Sequence, residues 1–175
     1  MTKEEKALLD MIAYTEGTLG VSNNGYDVVF GTPYKVIAGW TPTTKIVHGC
    51  SSWGKVSTAA GRYQFLCSTW KGGSVDKPGP NLPMSKANQD KRGLELLNGR
   101  LGNINKTTLA ANRNEFLKAL NLLSREWSSL PIGTNDFKNS DGNASKSGYS
   151  YYGGKTKATP DKCYEVYKKA LSKYK

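Results

Sequence analysis

The chain has 175 residues, of which 37% are hydrophobic, and it carries a formal net charge of +11. This length and hydrophobic content predict one domain over residues 1–175, with a hydrophobic core large enough to fold without cross-links, and they argue against disorder. No apolar run is long enough to cross a membrane, and the charged start of the chain (MTKEEK) is not a secretory signal.

The excess of Lys and Arg predicts a surface that attracts polyanions. Nucleic acid, bacterial envelope polymers and anionic lipid headgroups all fit this description, and composition does not choose among them. A solvated basic surface without a specific partner is the remaining interpretation, because charge also serves solubility. The sequence has no recognisable nucleic-acid-binding motif, so we expect no nucleic-acid partner.

The first predicted element is a helix that ends near residue 16. Thr2 and Glu5 have the spacing of a capping box, apolar residues follow at helical spacing, and Gly17 suits the end of the helix. Glu16 is therefore expected at the C-terminal end of this helix. The partial negative charge there, together with partial burial, is expected to raise the pKa of Glu16, which suits a general acid.

Residues 23–56 predict a small, irregular β lobe. Turn signals occur at residues 24–25 and 31–33, and β-prone side chains lie around them. These side chains are Tyr26, Val28, Phe30, Val36, Ile37, Ile46 and Val47.

From Ala60 onward the pattern favours helices. A Gly/Pro loop covers residues 72–83, and Ser85 is placed to cap a helix that runs to about residue 100. Asn112 and Glu115 flank the start of another helix, whose apolar stripe extends to Trp127 and predicts core packing for that side chain.

The last part of the chain combines a long polar segment with a helix. Residues 135–156 are rich in Gly, Ser and Asn, which is typical of a loop that is either functional or disordered. Thr159 and Pro160 then suit the N-cap and the first position of a final helix. Together these elements predict an α+β, mainly helical fold.

The three cysteines, Cys50, Cys67 and Cys163, do not predict a disulfide framework, because their number is odd and their spacing is wide. Cys67 is expected to be a buried thiol next to Phe65 and Leu66. The single histidine, His48, has no partner at metal-ligand spacing. We therefore expect neither a metal site nor a cofactor.

Four stretches carry a specific resemblance. They are residues 9–18 (LDMIAYTEGT), 25–29 (GYDVV), 57–64 (STAAGRYQ) and 127–131 (WSSLP). In this order they resemble the lambda-phage lysozyme family of endolysins, which cut peptidoglycan as lytic transglycosylases. The chain departs from the family pattern in residues 33–56 and in an insertion at 138–157, so the details of substrate binding are not carried over there.

The resemblance implies a lysozyme-like fold, with a cleft between a small β lobe and a larger helical lobe. It matches Glu16 to the family's catalytic acid. By the same resemblance Tyr63 and Gln64 are expected to line the substrate cleft, and Ser57 and Tyr152 are further candidates for substrate contact. A tyrosine ring and a glutamine amide both suit sugar hydroxyl and acetamido groups.

Arg62 and Asp27 each have two interpretations. Arg62 forms a structural ion pair or contacts the lactyl carboxylate of the substrate, because its planar fork suits either partner. Asp27 accepts hydrogen bonds in the turn after residues 24–25, or it contacts substrate as a second carboxylate.

The implied reaction uses one carboxylate. Glu16 protonates the oxygen between N-acetylmuramic acid and N-acetylglucosamine and later acts as a base, which leaves a 1,6-anhydro end. A hydrolytic lysozyme, with Asp27 assisting, is the first alternative. A non-catalytic module that binds cell wall or nucleic acid is the alternative of another class.

The expected partner is the peptidoglycan glycan strand, with anionic envelope polymers as a second possibility. We expect a monomer without stable membrane insertion. The protein is expected to accumulate in the cytoplasm of the host bacterium until a holin releases it to the cell wall, as the resemblance implies.

Overall fold

A computed structural model describes residues 1–31, 35–50, 57–72 and 82–174. Besides two short 3₁₀ segments (Ser22–Gly25 and Lys106–Thr108), its regular elements are five α-helices and two short strands within those residues. They are α1 (Lys3–Thr15), β1 (Val28–Val29), β2 (Lys35–Val36), α2 (Cys67–Lys71), α3 (Lys86–Leu101), α4 (Arg113–Leu123) and α5 (Pro160–Leu171). The mainly helical α+β class is as predicted. The predicted turn at Thr32 and Pro33 and most of the predicted loop at 72–83 lie outside the described residues.

The chain divides into two compact units. The helical unit comprises Met1–Thr15 and Leu94–Lys175, and the mixed unit comprises Glu16–Gly93. The chain leaves the helical unit at the peptide bond between Thr15 and Glu16 and returns to it within α3. The expectation of one catalytic domain over the whole chain stays a prediction.

Helix α1 begins at the predicted capping box. The backbone N–H of Thr2 donates to Glu5 Oε2 over 2.8 Å, and the N–H of Glu5 donates to Thr2 Oγ1 over 3.2 Å. This reciprocal pair satisfies two donors that a helix start leaves without intrahelical partners. The apolar side of α1 packs in the core of the helical unit, where Leu8 and Ile12 are fully buried.

Helices α4 and α5 also begin at the predicted caps. The side chain of Asn112 accepts the N–H groups of Asn114 and Glu115, and Thr159 Oγ1 accepts that of Lys162. The side chain of Trp127 is buried, which confirms its predicted core packing. The remaining core of this unit includes Leu97, Leu109, Phe116, Leu120, Leu123 and Tyr167.

The predicted loop at 135–156 is built from turns with single antiparallel bridges. Lys138 pairs with Ala144, and Tyr149 pairs with Lys155. The insertion at 138–157 therefore has a defined hydrogen-bonded path without a helix or a strand. No helix in the described part of the chain is both long and apolar enough to span a membrane.

The mixed unit contains the small β structure. Strands β1 and β2 are antiparallel, with Val28 opposite Val36, and single bridges join Val29 to Ala60 and Ala60 to Phe65. The β-prone residues around Val47 form one bridge rather than a strand. The core beside them is a row of aromatic side chains, in which neighbouring ring centroids lie 5.2 to 6.5 Å apart: Trp40, Tyr26, Tyr63, Phe65 and Trp70.

The prediction of a free, buried Cys67 thiol was wrong, because Cys50 and Cys67 form a disulfide with their Cα atoms 5.0 Å apart. The cause is a tertiary contact that cysteine spacing does not reveal. His48 Nε2 lies 3.0 Å from the carbonyl oxygen of Phe65. This contact brings together the two chain segments, so that Cys50 and Cys67, each two positions further on, lie side by side. Cys163 is the cysteine left free, and burial raises the pKa of its thiol to about 12.

Candidate active site

Glu16 follows the last residue of α1 and is half-buried. Gly17 has a φ of +75°, a left-handed conformation that turns the chain away from the helix axis at little cost only for glycine. Thr18 is then fully buried, and its hydroxyl donates to the backbone carbonyl of Arg62. Glu16 thus lies at the end of the helix, as expected. The turn that contains it is fixed by the hydrogen bond of Thr18, two residues later.

Asp27 lies in a hydrogen-bonded turn and is 4% exposed. Its Oδ2 accepts from Ser22 Oγ over 2.9 Å and from Asn23 Nδ2 over 2.6 Å. Its Oδ1 is buried and has no hydrogen-bond partner within the described residues. These contacts match the interpretation of Asp27 as an acceptor within its own turn, while contact with substrate stays a prediction.

Arg62 is 2% exposed, which leaves a substrate almost no surface to contact. Its guanidinium donates to the backbone carbonyl of Asn24 and lies 5.2 Å from the ring centroid of Tyr26 and 5.8 Å from that of Tyr63. Cation–π contacts of this kind are strongest where water is excluded. The geometry therefore favours a structural role for Arg62 over contact with a lactyl carboxylate.

Tyr63 is also 2% exposed, in contrast to the cleft-lining position expected for it. Its hydroxyl donates to Asp90 Oδ1 over 2.8 Å, and its ring packs against Tyr26 and Phe65. Burial is the main cause that raises the pKa of Tyr63 well above its usual value, so the hydroxyl stays protonated as a donor. A direct contact of Tyr63 with sugar is a prediction that this packing disfavours.

Gln64 and Ser57 are half-buried and so remain open to a ligand. Gln64 has a φ of +48°, an uncommon conformation for a residue with a side chain, and its Nε2 donates to the carbonyl of Gly61 over 3.0 Å. Ser57 Oγ accepts the N–H of Ala59 over 3.1 Å. Both keep hydrogen-bonding capacity beyond these local contacts, as substrate contact would require.

Tyr152 belongs to the helical unit, whereas the other six candidates belong to the mixed unit. It is 56% exposed, and its hydroxyl donates to the carbonyl of Arg125 over 2.6 Å. Burial of part of the ring raises the pKa of its hydroxyl. More than half of its surface is open to a ligand, and its role in binding stays a prediction.

The family model for endolysins matches residues 6–170, which is nearly the whole chain. The chain belongs to the endolysin family. Among solved structures it is similar to bacteriophage lambda lysozyme, a complex with a chitohexasaccharide, at a TM-score of 0.62 and 25% identity. The alignment covers 97% of this chain and 95% of that one. No curated protein is similar enough in sequence to count as a match.

These similarities confirm the predicted resemblance and the lysozyme-like fold. They identify the endolysin as a peptidoglycan-degrading glycosidase of phage lysis, without separating hydrolysis from transglycosylation.

Three residues of α3 that shape this part of the endolysin were not among the sequence candidates. Asp90 accepts the hydroxyls of Tyr26 and Tyr63 and pairs with Lys86 Nζ over 2.6 Å. Gln89 is fully buried beside them. A signal was present, because Lys86 and Asp90 have the i,i+4 spacing of a helical ion pair.

Gln89 connects three backbone segments of the endolysin. Its Oε1 accepts the N–H of Arg62 over 2.9 Å, and its Nε2 donates to the carbonyls of Tyr26 and Met84, each over 2.8 Å. A Cβ on Gly61 would lie 2.3 Å from Gln89 Oε1, so the close approach requires glycine. The Gly61–Arg62 turn is therefore held by α3.

One group of possible metal ligands occurs among the described residues of the endolysin. The ligand atoms of His48, Cys50 and Cys67 all lie within 4.8 Å of one another. Because the two sulfur atoms share a disulfide, neither supplies the thiolate that a metal needs. Burial lowers the pKa of His48, and the neutral ring has a structural role: its Nδ1 accepts the N–H of Cys50 and its Nε2–H donates to the carbonyl of Phe65.

Proposed function

We propose that this endolysin is a lytic transglycosylase in which Glu16 is the only carboxylate that acts on the substrate. The observation that carries the proposal is the position of Glu16, half-buried directly after α1 in a turn of fixed geometry. It lies at the position that the family resemblance matches to the catalytic acid. The fold similarity to bacteriophage lambda lysozyme supports the same assignment.

In the first step Glu16 donates its proton to the bridging oxygen, and the bond from that oxygen to the anomeric carbon of N-acetylmuramic acid breaks. The 2-acetamido group of the sugar stabilises the electron-poor carbon. In the second step the ionised Glu16 takes the proton of the C6 hydroxyl, whose oxygen bonds to the anomeric carbon. Glu16 ends protonated, and no water is consumed.

The geometry of Asp27 supports the scheme with one carboxylate. A second carboxylate in a glycosidase stands about 5–5.5 Å from the first when it acts as nucleophile, or about 6.5–9.5 Å when it activates water. Both roles require an accessible oxygen. Asp27 is buried and holds two side-chain hydrogen bonds in its own turn, so hydrolysis assisted by Asp27 is the less favoured alternative.

The substrate in this proposal is the glycan strand of peptidoglycan. The chitohexasaccharide bound by bacteriophage lambda lysozyme is an oligomer of N-acetylated amino sugars, and peptidoglycan strands contain the same sugar class. Among the candidates, Gln64 and Ser57 are half-buried and Tyr152 is exposed, so each keeps surface that such a strand can contact. The net charge of +11 favours residence near anionic envelope polymers.

The proposal includes the route to the substrate. The endolysin accumulates in the host cytoplasm as a monomer and reaches the cell wall after a holin opens the membrane. It has no nucleic-acid partner and no stable insertion in the membrane.

The test of Glu16 measures release of soluble glycan fragments from purified peptidoglycan. Glu16→Gln keeps the side-chain shape but cannot donate a carboxylic proton, so we expect at least a 100-fold loss of rate. Glu165→Gln is the matched control, because Glu165 is an exposed glutamate of α5 paired with Lys162. Equal activity of wild type and Glu16→Gln would refute the assignment. Binding of peptidoglycan without cleavage by wild type would favour the non-catalytic module.

A further inference from the structure

We propose that Thr18 is a positioning residue for Glu16, acting through its hydrogen bond to the backbone of Arg62. This inference rests on the proposed function, because it concerns the geometry of the same carboxylate. It assigns a task to a residue that is fully buried and therefore out of reach of the substrate.

Thr18 is clamped from two sides. Its side chain is fully buried, and its hydroxyl donates to the carbonyl of Arg62, 44 residues further along the chain. On another side lies Gly25, where an added Cβ would be 2.6 Å from Thr18 Cβ. Gly25 has a φ of +86°, so a larger residue there would be strained as well as crowded. The side chain of Thr18 therefore has little freedom to shift.

The acceptor of this hydrogen bond is itself fixed. The N–H of Arg62 donates to Gln89, and its guanidinium donates to the carbonyl of Asn24. The preceding N–H, of Gly61, donates to the carbonyl of Val28 over 2.7 Å. The Arg62 carbonyl is therefore a rigid reference point, connected to α3 and to β1.

The link to Glu16 is short. Only Gly17 separates Glu16 from Thr18, and glycine is the residue whose backbone loses the most conformational freedom on folding. We therefore expect that removing the hydroxyl of Thr18 lets the Glu16–Gly17 segment sample more backbone conformations than in wild type. An acid misplaced by about 1 Å can cost about 100-fold in rate, because proton transfer requires hydrogen-bond distance to the reacting oxygen.

The experiment compares four variants in steady-state cleavage of soluble glycan strands. Thr18→Val keeps the shape and removes the hydroxyl, whereas Thr18→Ser and Thr18→Ala form a second pair that differs only in the hydroxyl. Thr44→Val is the matched control, because Thr44 is a buried threonine of the same unit whose hydroxyl accepts the N–H of Ile46. Thermal unfolding of each variant gives its folded fraction.

We expect Thr18→Val and Thr18→Ala to lower kcat about 10- to 100-fold, with KM changed less than about twofold. We expect Thr18→Ser to retain most of the wild-type kcat. Thr44→Val should also retain it, although its melting temperature falls by a similar amount to that of Thr18→Val. If Thr18→Val does not fold, the Ser and Ala pair decides alone. Equal kcat for Thr18→Ser and Thr18→Ala would overturn the inference, as would an equal loss of kcat in Thr44→Val.

A failure of the proposed function can be distinguished from a failure of the positioning role of Thr18. If Glu16→Gln retains activity, the assignment of Glu16 is wrong, whatever Thr18 does. If Glu16→Gln is inactive and Thr18→Ala matches Thr18→Ser, the proposed function stands and only the positioning role of Thr18 is lost.

Discussion

Gln89 Oε1 accepts the backbone N–H of Arg62 over 2.9 Å, and this bond holds the Gly61–Arg62 turn against α3. The same amide donates to the carbonyls of Tyr26 and Met84. One buried side chain thus satisfies three backbone groups from different segments, which is how a unit with only two short strands keeps a defined backbone path.

Replacing Gln89 is expected to destabilise the protein strongly. Gln89→Leu fills a similar volume but removes the hydrogen-bond partner of three buried backbone groups. We expect a loss of at least about 3 kcal/mol in the free energy of unfolding, since each such group costs about 1–3 kcal/mol. Urea unfolding measures it, and a loss below about 1 kcal/mol would contradict this role of Gln89.

Gly61→Ala tests the same contact between Gly61 and Gln89 by changing the glycine. The added Cβ would meet Gln89 Oε1 at 2.3 Å, and the φ of +79° disfavours any side chain. We expect a loss of about 1–3 kcal/mol. Gly99→Ala in α3 is the control, because a Cβ there meets no atom within 4 Å and its φ is not positive. That change should be neutral or stabilising, since alanine favours a helix over glycine.

The disulfide predicts a specific thiol count. Unfolding the oxidised protein without reductant should expose one reactive thiol, that of Cys163, and unfolding with reductant should expose three. The folded protein should react slowly, because burial raises the pKa of the Cys163 thiol to about 12. Three thiols without reductant would show that Cys50 and Cys67 are not joined.

Reduction should also lower stability. The two cysteines are 17 residues apart, and a closed loop of that size contributes about 3 kcal/mol through the unfolded chain. The free energy of unfolding with and without reductant measures this difference. The double variant Cys50→Ala, Cys67→Ala should be insensitive to reductant.

Glu5 gives a pH-dependent prediction. Burial acts to raise its pKa, but the N–H of Thr2, the amide of Asn98 and the charge of Lys106 outweigh burial and lower the pKa below its usual 4.5. The ionised group therefore stabilises the fold above that value, and the contribution disappears as the pH falls through the lowered pKa.

Glu5→Gln keeps the geometry of the capping box and removes the charge. We expect a loss of about 0.5–1 kcal/mol at neutral pH that shrinks toward zero below about pH 4. Urea unfolding across that range measures the difference between the two proteins. A difference that does not change with pH would contradict the ionised role of Glu5, and Glu165→Gln is the exposed control.

Substitution of Asp27 distinguishes a structural role of this carboxylate from a catalytic one. Asp27→Asn weakens the two hydrogen bonds at Oδ2, so we expect a loss of about 1–3 kcal/mol in stability. Under the scheme with one carboxylate, kcat of the folded variant stays within about threefold of wild type. A loss as large as that of Glu16→Gln, in a folded protein, would favour the hydrolytic alternative.

The features that the sequence predicted correctly are local ones. The capping box of Thr2 and Glu5, the cap at Asn112 and the Thr159–Pro160 start of α5 each depend on residues within three positions of one another. Hydrogen bonds over such short spacing leave a pattern in the sequence.

The features that the sequence missed depend on contacts between distant segments. Gln89 meets Tyr26 across 63 residues, and Tyr63 meets Asp90 across 27. Contacts over such separations leave no periodic pattern in the sequence. The burial of Tyr63 was missed for a related reason, since a polar motif predicts which chemistry is available but not which side of the backbone faces solvent.

The most direct test of the central claim is mass spectrometry of the fragments released from purified peptidoglycan in isotopically labelled water. If Glu16 acts alone, wild type gives 1,6-anhydro ends that lack the mass of one water molecule and carry no label, and Glu16→Gln gives none. Reducing ends that contain labelled oxygen would contradict this account and identify the endolysin as a hydrolase.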